Sequence, residues 1–417
     1  MKSFQFILMI VFHNINSITQ HLEGRTMTII LLVLQNIYPL MAQNSVEGRD
    51  FKPGNIAYVA GISSEEFVDF APVVSPDGKT MLFESNRGNG WKLFESKLNA
   101  NGFWSAPNPM ESINNFGKRN DLIGGPSLSY DGNYLYFFAY FLYKGTSEDI
   151  YVSKRGANGW ETPEKLGAPI NTNAFEGFPS ISPDNRTLYF IRENEAHPVD
   201  ANTGEPCFVI HKSVKDYDGR WSEPEALPAQ INMGCERSPK IMSDGKTLLF
   251  SSIRKGGIGG FDIYQTRLND QGEWAEPILI EGLNTDADDL SPSITAAGDE
   301  MFFLQDYVIV KSQVPSGFGP LKTMTLEGHV KNTETGLPVT TDIEIINKTT
   351  GETISYITTD GPDGWYSIVL TAGTLYQVNF YNEGQEPLSF VYDLTDLTEN
   401  KKETRTIAIE ADRAIII

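Results

Sequence analysis

The chain has 417 residues, too many for one ordinary core, so it holds two domains or an array of repeats. With 40% hydrophobic residues, 37 glycines and 23 prolines, it reads as globular and rich in turns. A formal net charge of −21 repels phosphate backbones and sets nucleic acid aside as a partner; basic peptides, cations and neutral polymers stay open, as does simple solubility.

Residues 1–44 read as an export leader. Their apolar runs, 4–12 and 28–34, fall short of the ~20 residues that cross a bilayer. Leu40-Met41-Ala42 is a cleavage-type sequence before Gln43. Two leaders in series are unusual, so Met27 is an alternative start, although it leaves no Lys or Arg ahead of the second run. No later stretch is long and apolar enough to be a transmembrane segment. Export permits oxidation, so Cys207 and Cys235 either form one disulfide or stay as two buried thiols.

Five segments then repeat. They run from Ala71-Pro72 to Phe83, Gly125-Pro126 to Phe137, Phe178-Pro179 to Phe190, Ser238-Pro239 to Phe250 and Ser291-Pro292 to Phe303. In each, a proline opens a short strand and needs no ladder N–H there. Asp77-Gly78, Asp131-Gly132, Asp184-Asn185 and Asp244-Gly245 make a tight turn, and Ala297-Gly298 takes their place in the fifth copy. An apolar, aromatic strand buried on both faces follows, and then a third strand such as Asp149-Ile150-Tyr151-Val152. A turn at Trp104, Trp160, Trp221 or Trp274 starts a fourth strand, of which the fifth copy keeps only Gly319-Pro320. Ile113-Asn114, Ile170-Asn171, Ile231-Asn232 and Leu283-Asn284 close the units.

Four strands per unit of ~50 residues, five times over, predict an all-β, five-bladed β-propeller across 45–322. A six-bladed ring is the alternative and needs one degenerate blade. The segment 56–60 is expected to pair with the last blade and join the ends of the ring. Alternating strands with turns at Thr335-Gly336, Thr350-Gly351 and Asp363-Gly364 predict a β-sandwich over 323–412. A short apolar tail, 413–417, remains.

The Ser-Pro-Asp-Gly-Lys-Thr unit at 75–80 and its four relatives resemble the WD40-like repeats called PD40, found in the propeller of TolB. The string Gly328-x-Val330, Thr335-Gly336-x-Pro338 and Asp363-Gly364-x-Tyr366 resembles the carboxypeptidase regulatory-like, transthyretin-type domain. The pairing is similar to envelope proteins of Bacteroidota, some of them in type IX secretion, that end in a peptidoglycan-binding OmpA-like domain. This chain ends at Ile417 without that domain. The resemblance implies a periplasmic or outer-membrane-associated protein that binds envelope or secreted proteins, and it implies neither a cofactor nor catalysis.

Chemical motifs are sparse. Nucleophile elbows, His-Glu-x-x-His and phosphate-binding glycine loops are absent, and the five histidines are scattered, so no metal or cofactor is expected. Asp216-Tyr217-Asp218-Gly219 looks like half a calcium loop but falls in the register of a turn. The remaining signal is acidic. Asp69, Glu176, Glu236 and Asp289 each stand three residues before a repeat proline, and Asp121 stands five before the second. On a propeller they would ring one mouth of the central channel. One reading is a site for a cation or a Lys/Arg-bearing peptide segment. The other is that each acid caps the neighbouring blade or pairs with residues such as Arg237. A sugar-binding or glycoside-hydrolysing funnel is a further alternative and requires two carboxylates facing one sugar.

Overall fold

A computed structural model describes residues 56–63, 66–88, 90–118, 121–142, 147–200, 204, 206–216, 219–233, 235–269, 272–359, 364–381 and 386–410. The leader, the tail 413–417, Tyr217, Asp218 and Asp363 lie outside the described residues.

The first strand, β1 (Ala57–Tyr58), precedes the repeats. Sheet one then runs through β2 (Asp69–Val74), β3 (Thr80–Gly88), β4 (Gly90–Lys97) and β5 (Asn108–Pro109). Sheet two holds β6 (Leu122–Leu128), β7 (Tyr134–Tyr140), β8 (Asp149–Gly156) and β10 (Glu164–Lys165), with β9 (Gly159–Trp160) paired to β8. Sheet three is β11 (Glu176–Ile181), β12 (Thr187–Glu193), β13 (Phe208–Val214) and β14 (Glu225–Ala226). Sheet four is β15 (Glu236–Ile241), β16 (Thr247–Ser252), β17 (Asp262–Arg267) and β18 (Ile278–Leu279). Sheet five is β19 (Asp289–Ile294), β20 (Glu300–Gln305) and β21 (Val308–Gln313), and its outer place is taken by β1. Tyr58 pairs with Val310 and Ala57 with Lys311, so the segment 56–60 joins the ends as expected. Gly319-Pro320 does not supply that strand: the two ends of the array are brought together instead.

Hydrogen bonds link each sheet to the next and close a ring. Glu84 Oε2 accepts from Gly125 N, Ser127 Oγ from Ile181 N, Ser180 Oγ from Ile241 N and Ser293 Oγ from Val74 N, while Ser238 and Ser291 join through their hydroxyls. The chain is a β-propeller.

Two sequence expectations are corrected. The repeat proline sits inside the innermost strand, not at its start, at a bulge that shifts the register on either side. The bulge removes the need for a ladder N–H, so a central strand tolerates proline. It also forces the preceding residue to positive φ: Ala71 48°, Gly125 56°, Phe178 48°, Ser238 47° and Ser291 51°. Second, the tryptophans Trp104, Trp221 and Trp274 make only isolated bridges, and the outermost strands begin several residues later.

The Ile-Asn pairs have a clear role. Where the outer strand has ended, Asn171 Oδ1 accepts from Ile150 N and its Nδ2 donates to Ile150 O, both at 2.8 Å. Asn114, Asn232 and Asn284 clamp Leu93, Ile210 and Ile263 in the same way. On sheet five the clamp comes from the other end of the array: Ser63 Oγ donates to Ile309 O at 3.2 Å. Ile62-Ser63 is thus a fifth copy that the sequence pattern disguises.

The second unit has two facing sheets. One is β25 (Trp365–Thr371), β22 (Thr323–Asn332), β28 (Lys401–Thr404) and β29 (Ile407–Ile409). The other is β24 (Glu352–Thr358), β23 (Asp342–Asn347), β26 (Leu375–Phe380) and β27 (Leu388–Asp393). Leu326, Val330, Ile343, Tyr366, Val378 and Phe380 fill the space between them. Leu321 N donates to Asp244 Oδ2 at 2.8 Å, and Asn400 Nδ2 donates to Ala297 O, which sets the sandwich against the face of the ring that carries the Asp-Gly turns.

Asn171→Ala strands the buried Ile150 N–H on β8 and takes one of two donors from Ile150 O, which keeps Leu166 N. Denaturant unfolding should show a loss of about 2–4 kcal/mol. An unchanged midpoint would mean that the clamp contributes nothing.

Candidate functional site

The sequence-predicted acids all lie on the face opposite the Asp-Gly turns, where the innermost strands start. They do not stand as a free ring of charge: Glu176, Glu236 and Asp289 are 0% exposed and Asp69 and Asp121 2%. Each has partners on a strand end or a connector. Arg87 donates to Asp69 at 2.8 Å, Arg192 to Glu176 at 2.8 Å and Arg254 to Glu236 at 3.3 Å, and Gln305 takes the corresponding place beside Asp289 at 2.9 Å. Asp121 accepts from Lys118 N and Leu142 N, and Lys92 Nζ donates to its carbonyl at 2.8 Å.

Three of these cations and Gln305 also reach back to the previous unit. Arg87 donates to Ile62 O, Arg192 to Ile170 O, Arg254 to Ile231 O, and Gln305 to Leu283 O. The geometry is that of the capping alternative, but the partner lies 16 or 18 residues downstream, at the end of the second strand, in four of the five repeats. Arg237 does something else: it donates to Pro206 O and lies over the rings of Phe208 and Phe261.

Burial dominates the electrostatics. It pushes Asp69 up to about 6 against the pull of Arg87, and Asp289 up to about 6 against hydrogen bonds from Gln305 and Thr285. Glu176 is raised by burial too, offset by Thr172 and Arg192. Glu84, which the sequence reading passed over, is the outlier: burial pushes it up to about 7, with one main-chain N–H, that of Gly125, working the other way. Its register equivalents are Phe138, Ile191, Ser251 and Leu304, so a carboxyl here breaks an otherwise largely apolar series.

The axis itself is apolar at this mouth. Phe70 of sheet one meets Phe178 of sheet three at 6.3 Å, a contact that spans the ring because sheet two lies between them. Phe138 and Phe175 extend the aromatic cluster. At the other end, Tyr130 crosses from sheet two and donates to Ile241 O of sheet four at 3.3 Å. Neither plug was legible from the repeat pattern, because Tyr130 occupies a position held elsewhere by Pro76, Pro183, Ser243 and Ala296.

Around the acid-bearing mouth the loops carry apolar side chains in the open: Met233 is 67% exposed, Ile258 48% and Val199 46%. Glu195, Glu281 and Asp286 are exposed on the same set of loops. Cys207 and Cys235 form a disulfide there, tying a sheet-three loop to the start of β15. Among the described residues no group of three or more His, Cys, Asp or Glu side chains is placed to hold a metal ion. No helix among them is long and apolar enough to cross a membrane.

No protein-family model matches the chain, and no curated protein sequence does. Solved structures do. A candidate TolB of Agrobacterium tumefaciens is similar at a TM-score of 0.38 and 18% identity, over 73% of this chain and 90% of that one. TolB of Acinetobacter baumannii follows at 0.36 and 13%, over 62% of this chain and 57% of that one. The catalytic domain of a GH62 α-L-arabinofuranosidase from Coprinopsis cinerea is similar at 0.41 and 9%, over 63% and 96%. At these scores the fold rests on the strand order and the ring of hydrogen bonds given above.

Glu84 gives a test with a sign. Its folded value of about 7 exceeds the ordinary 4.5, so the native state loses stability as pH rises through that window. Glu84→Gln should therefore stabilise the protein at pH 8, by roughly 2 kcal/mol, and the gain should vanish near pH 5. An equal gain at both pH values would rule out a buried, titrating carboxyl.

Proposed function

We propose that the chain is a non-catalytic scaffold of the bacterial cell envelope that binds protein partners through the loop face of its propeller. The observation that carries this reading is the exposed set Val199, Met233 and Ile258 on loops of adjoining sheets, beside a disulfide that stiffens them. The sandwich sits on the opposite face, which leaves this one uncovered by the chain's own described residues. Glu195, Glu281 and Asp286 are exposed on loops of the same face, a composition that suits a partner segment bearing Lys or Arg next to apolar side chains. The proposal moves the basic-peptide partner, expected from the sequence at the ring of acids, to the loops, because those acids are buried and paired. The disulfide favours an oxidising compartment, in keeping with export to the periplasm. A role in secretion or envelope assembly, and a carboxypeptidase regulatory-like identity for the sandwich, extend the same proposal.

A glycan-binding reading draws on a different place. The sandwich and the turn face enclose a cleft of ≈ 790 Å³ lined by Asp131, Arg186, Lys215, Asp342 and Tyr356. Beside it Glu344 accepts from Tyr356, Tyr381, Thr353 and Asn379; burial opposes ionisation, yet these four donors hold its carboxyl at about 2. Hydroxyls and amides fixed around a permanent anion form a surface suited to neutral sugars.

The two readings separate experimentally. Tagged protein is incubated with envelope extract of its own organism, beside Met233→Asp/Ile258→Asp and beside Phe103→Asp, which alters the turn face. A partner lost in the first variant and kept in the second supports the loop face. A partner kept in both overturns it, and glycan-array binding abolished by Tyr356→Ala would put the cleft in its place.

A further inference from the structure

Lys240 follows the repeat proline on β15, and the register equivalents are Val73, Ser127, Ser180 and Ser293. The three serines spend their hydroxyls on a main-chain N–H of the next sheet. Lysine has no acceptor to offer, so at this position the ring loses one such bond and gains an ammonium. Lys240 is 8% exposed. Its amine makes no hydrogen bond or ion pair with any described residue.

That side chain lines a narrow axial cavity of ≈ 30 Å³ together with Pro72, Pro126, Pro179, Pro239 and Pro292, one proline from each innermost strand. Ser238 and Ser291 also line it and share a hydrogen bond between their hydroxyls, and no carboxylate among the described residues lines it. Phe70 and Phe178 cover the axis on the loop side and Tyr130 on the turn side. Burial pushes the ammonium down to about 8, with no acid working against it, so near neutral pH it stays largely protonated. An unpaired buried cation is costly, and a counter-ion is the remedy with the least rearrangement.

We propose that the propeller axis binds a small monovalent anion of about chloride size, held by Lys240 within the ring of five prolines. The space of ≈ 30 Å³ has room for a water-sized ion, and Lys240 is the one charged side chain among the described residues lining it, which suits a single negative charge better than a phosphate ester. The anion binds only where five innermost strands converge, so it stabilises the closed ring over any opened form. The inference stands apart from the docking proposal, since it concerns the axis rather than the loops.

The test is thermal unfolding of the full chain at constant ionic strength and pH 7, with chloride replacing gluconate. The melting temperature should rise by roughly 2–4 °C in wild type. The rise should be absent in Lys240→Ser, which carries the residue of three sister repeats, and in Lys240→Met, which keeps the bulk. A bromide-soaked crystal should show anomalous density within hydrogen-bond reach of Lys240 Nζ. No chloride response in wild type, an equal response in both variants, or bromide bound only elsewhere would each overturn the proposal.

Discussion

At four of the five junctions, one main-chain carbonyl of the connector ties two neighbouring sheets of the ring together. Ile170 O, Ile231 O and Leu283 O each accept from the cation or amide that also binds the acid at the start of the next innermost strand. The adjoining asparagine meanwhile clamps the sheet just completed. Two neighbouring sheets are therefore fixed by consecutive residues, and the acid is the part that cannot be spared. Without it, the half-buried guanidinium at three of these junctions would lose its counter-charge. The ring of acids that looks like a binding mouth in the sequence is spent on joining sheets.

That commitment shapes what the propeller has to offer. The bulged strands turn their prolines to the axis, aromatic side chains stopper it, and what remains exposed is the periphery. Each non-glycine residue held at positive φ before a proline costs on the order of 1–2 kcal/mol. Packing repays this in part: Ala71 and Phe178 both belong to the core cluster that spans sheets one, two, three and four. Rigid scaffold and accessible loops are the usual division of labour in proteins that recognise partners.

The repeat unit was legible because its turns demand particular residues. Gly78, Gly132, Asn185, Gly245 and Gly298 all take positive φ, as the Asp-Gly pattern requires. The strand order followed from that spacing, and the closing strand from its position ahead of the first copy. The latch was less legible. Its acid repeats in register, but its partner changes between Arg and Gln and lies one hairpin away, so only the pairing of β11 with β12 reveals that Glu176 and Arg192 are cross-strand neighbours. Ile62-Ser63 escaped notice because a hydroxyl replaces the amide. Contacts across the axis, such as Phe70 with Phe178, join repeats that are distant in sequence and follow no period at all.

The source of the closing strand has a consequence for how the protein comes into being. Residues 57–63 supply the outer edge, the clamp and the carbonyl that sheet five and sheet one need, and their partners on β21 lie some 250 residues further on. A ribosome must therefore finish the whole array before the first sheet can be sealed to the last. Until then the partners of residues 57–63 do not yet exist, and the strand edge they will meet is left open. Circularity thus makes the sealing of the first sheet depend on the arrival of the last.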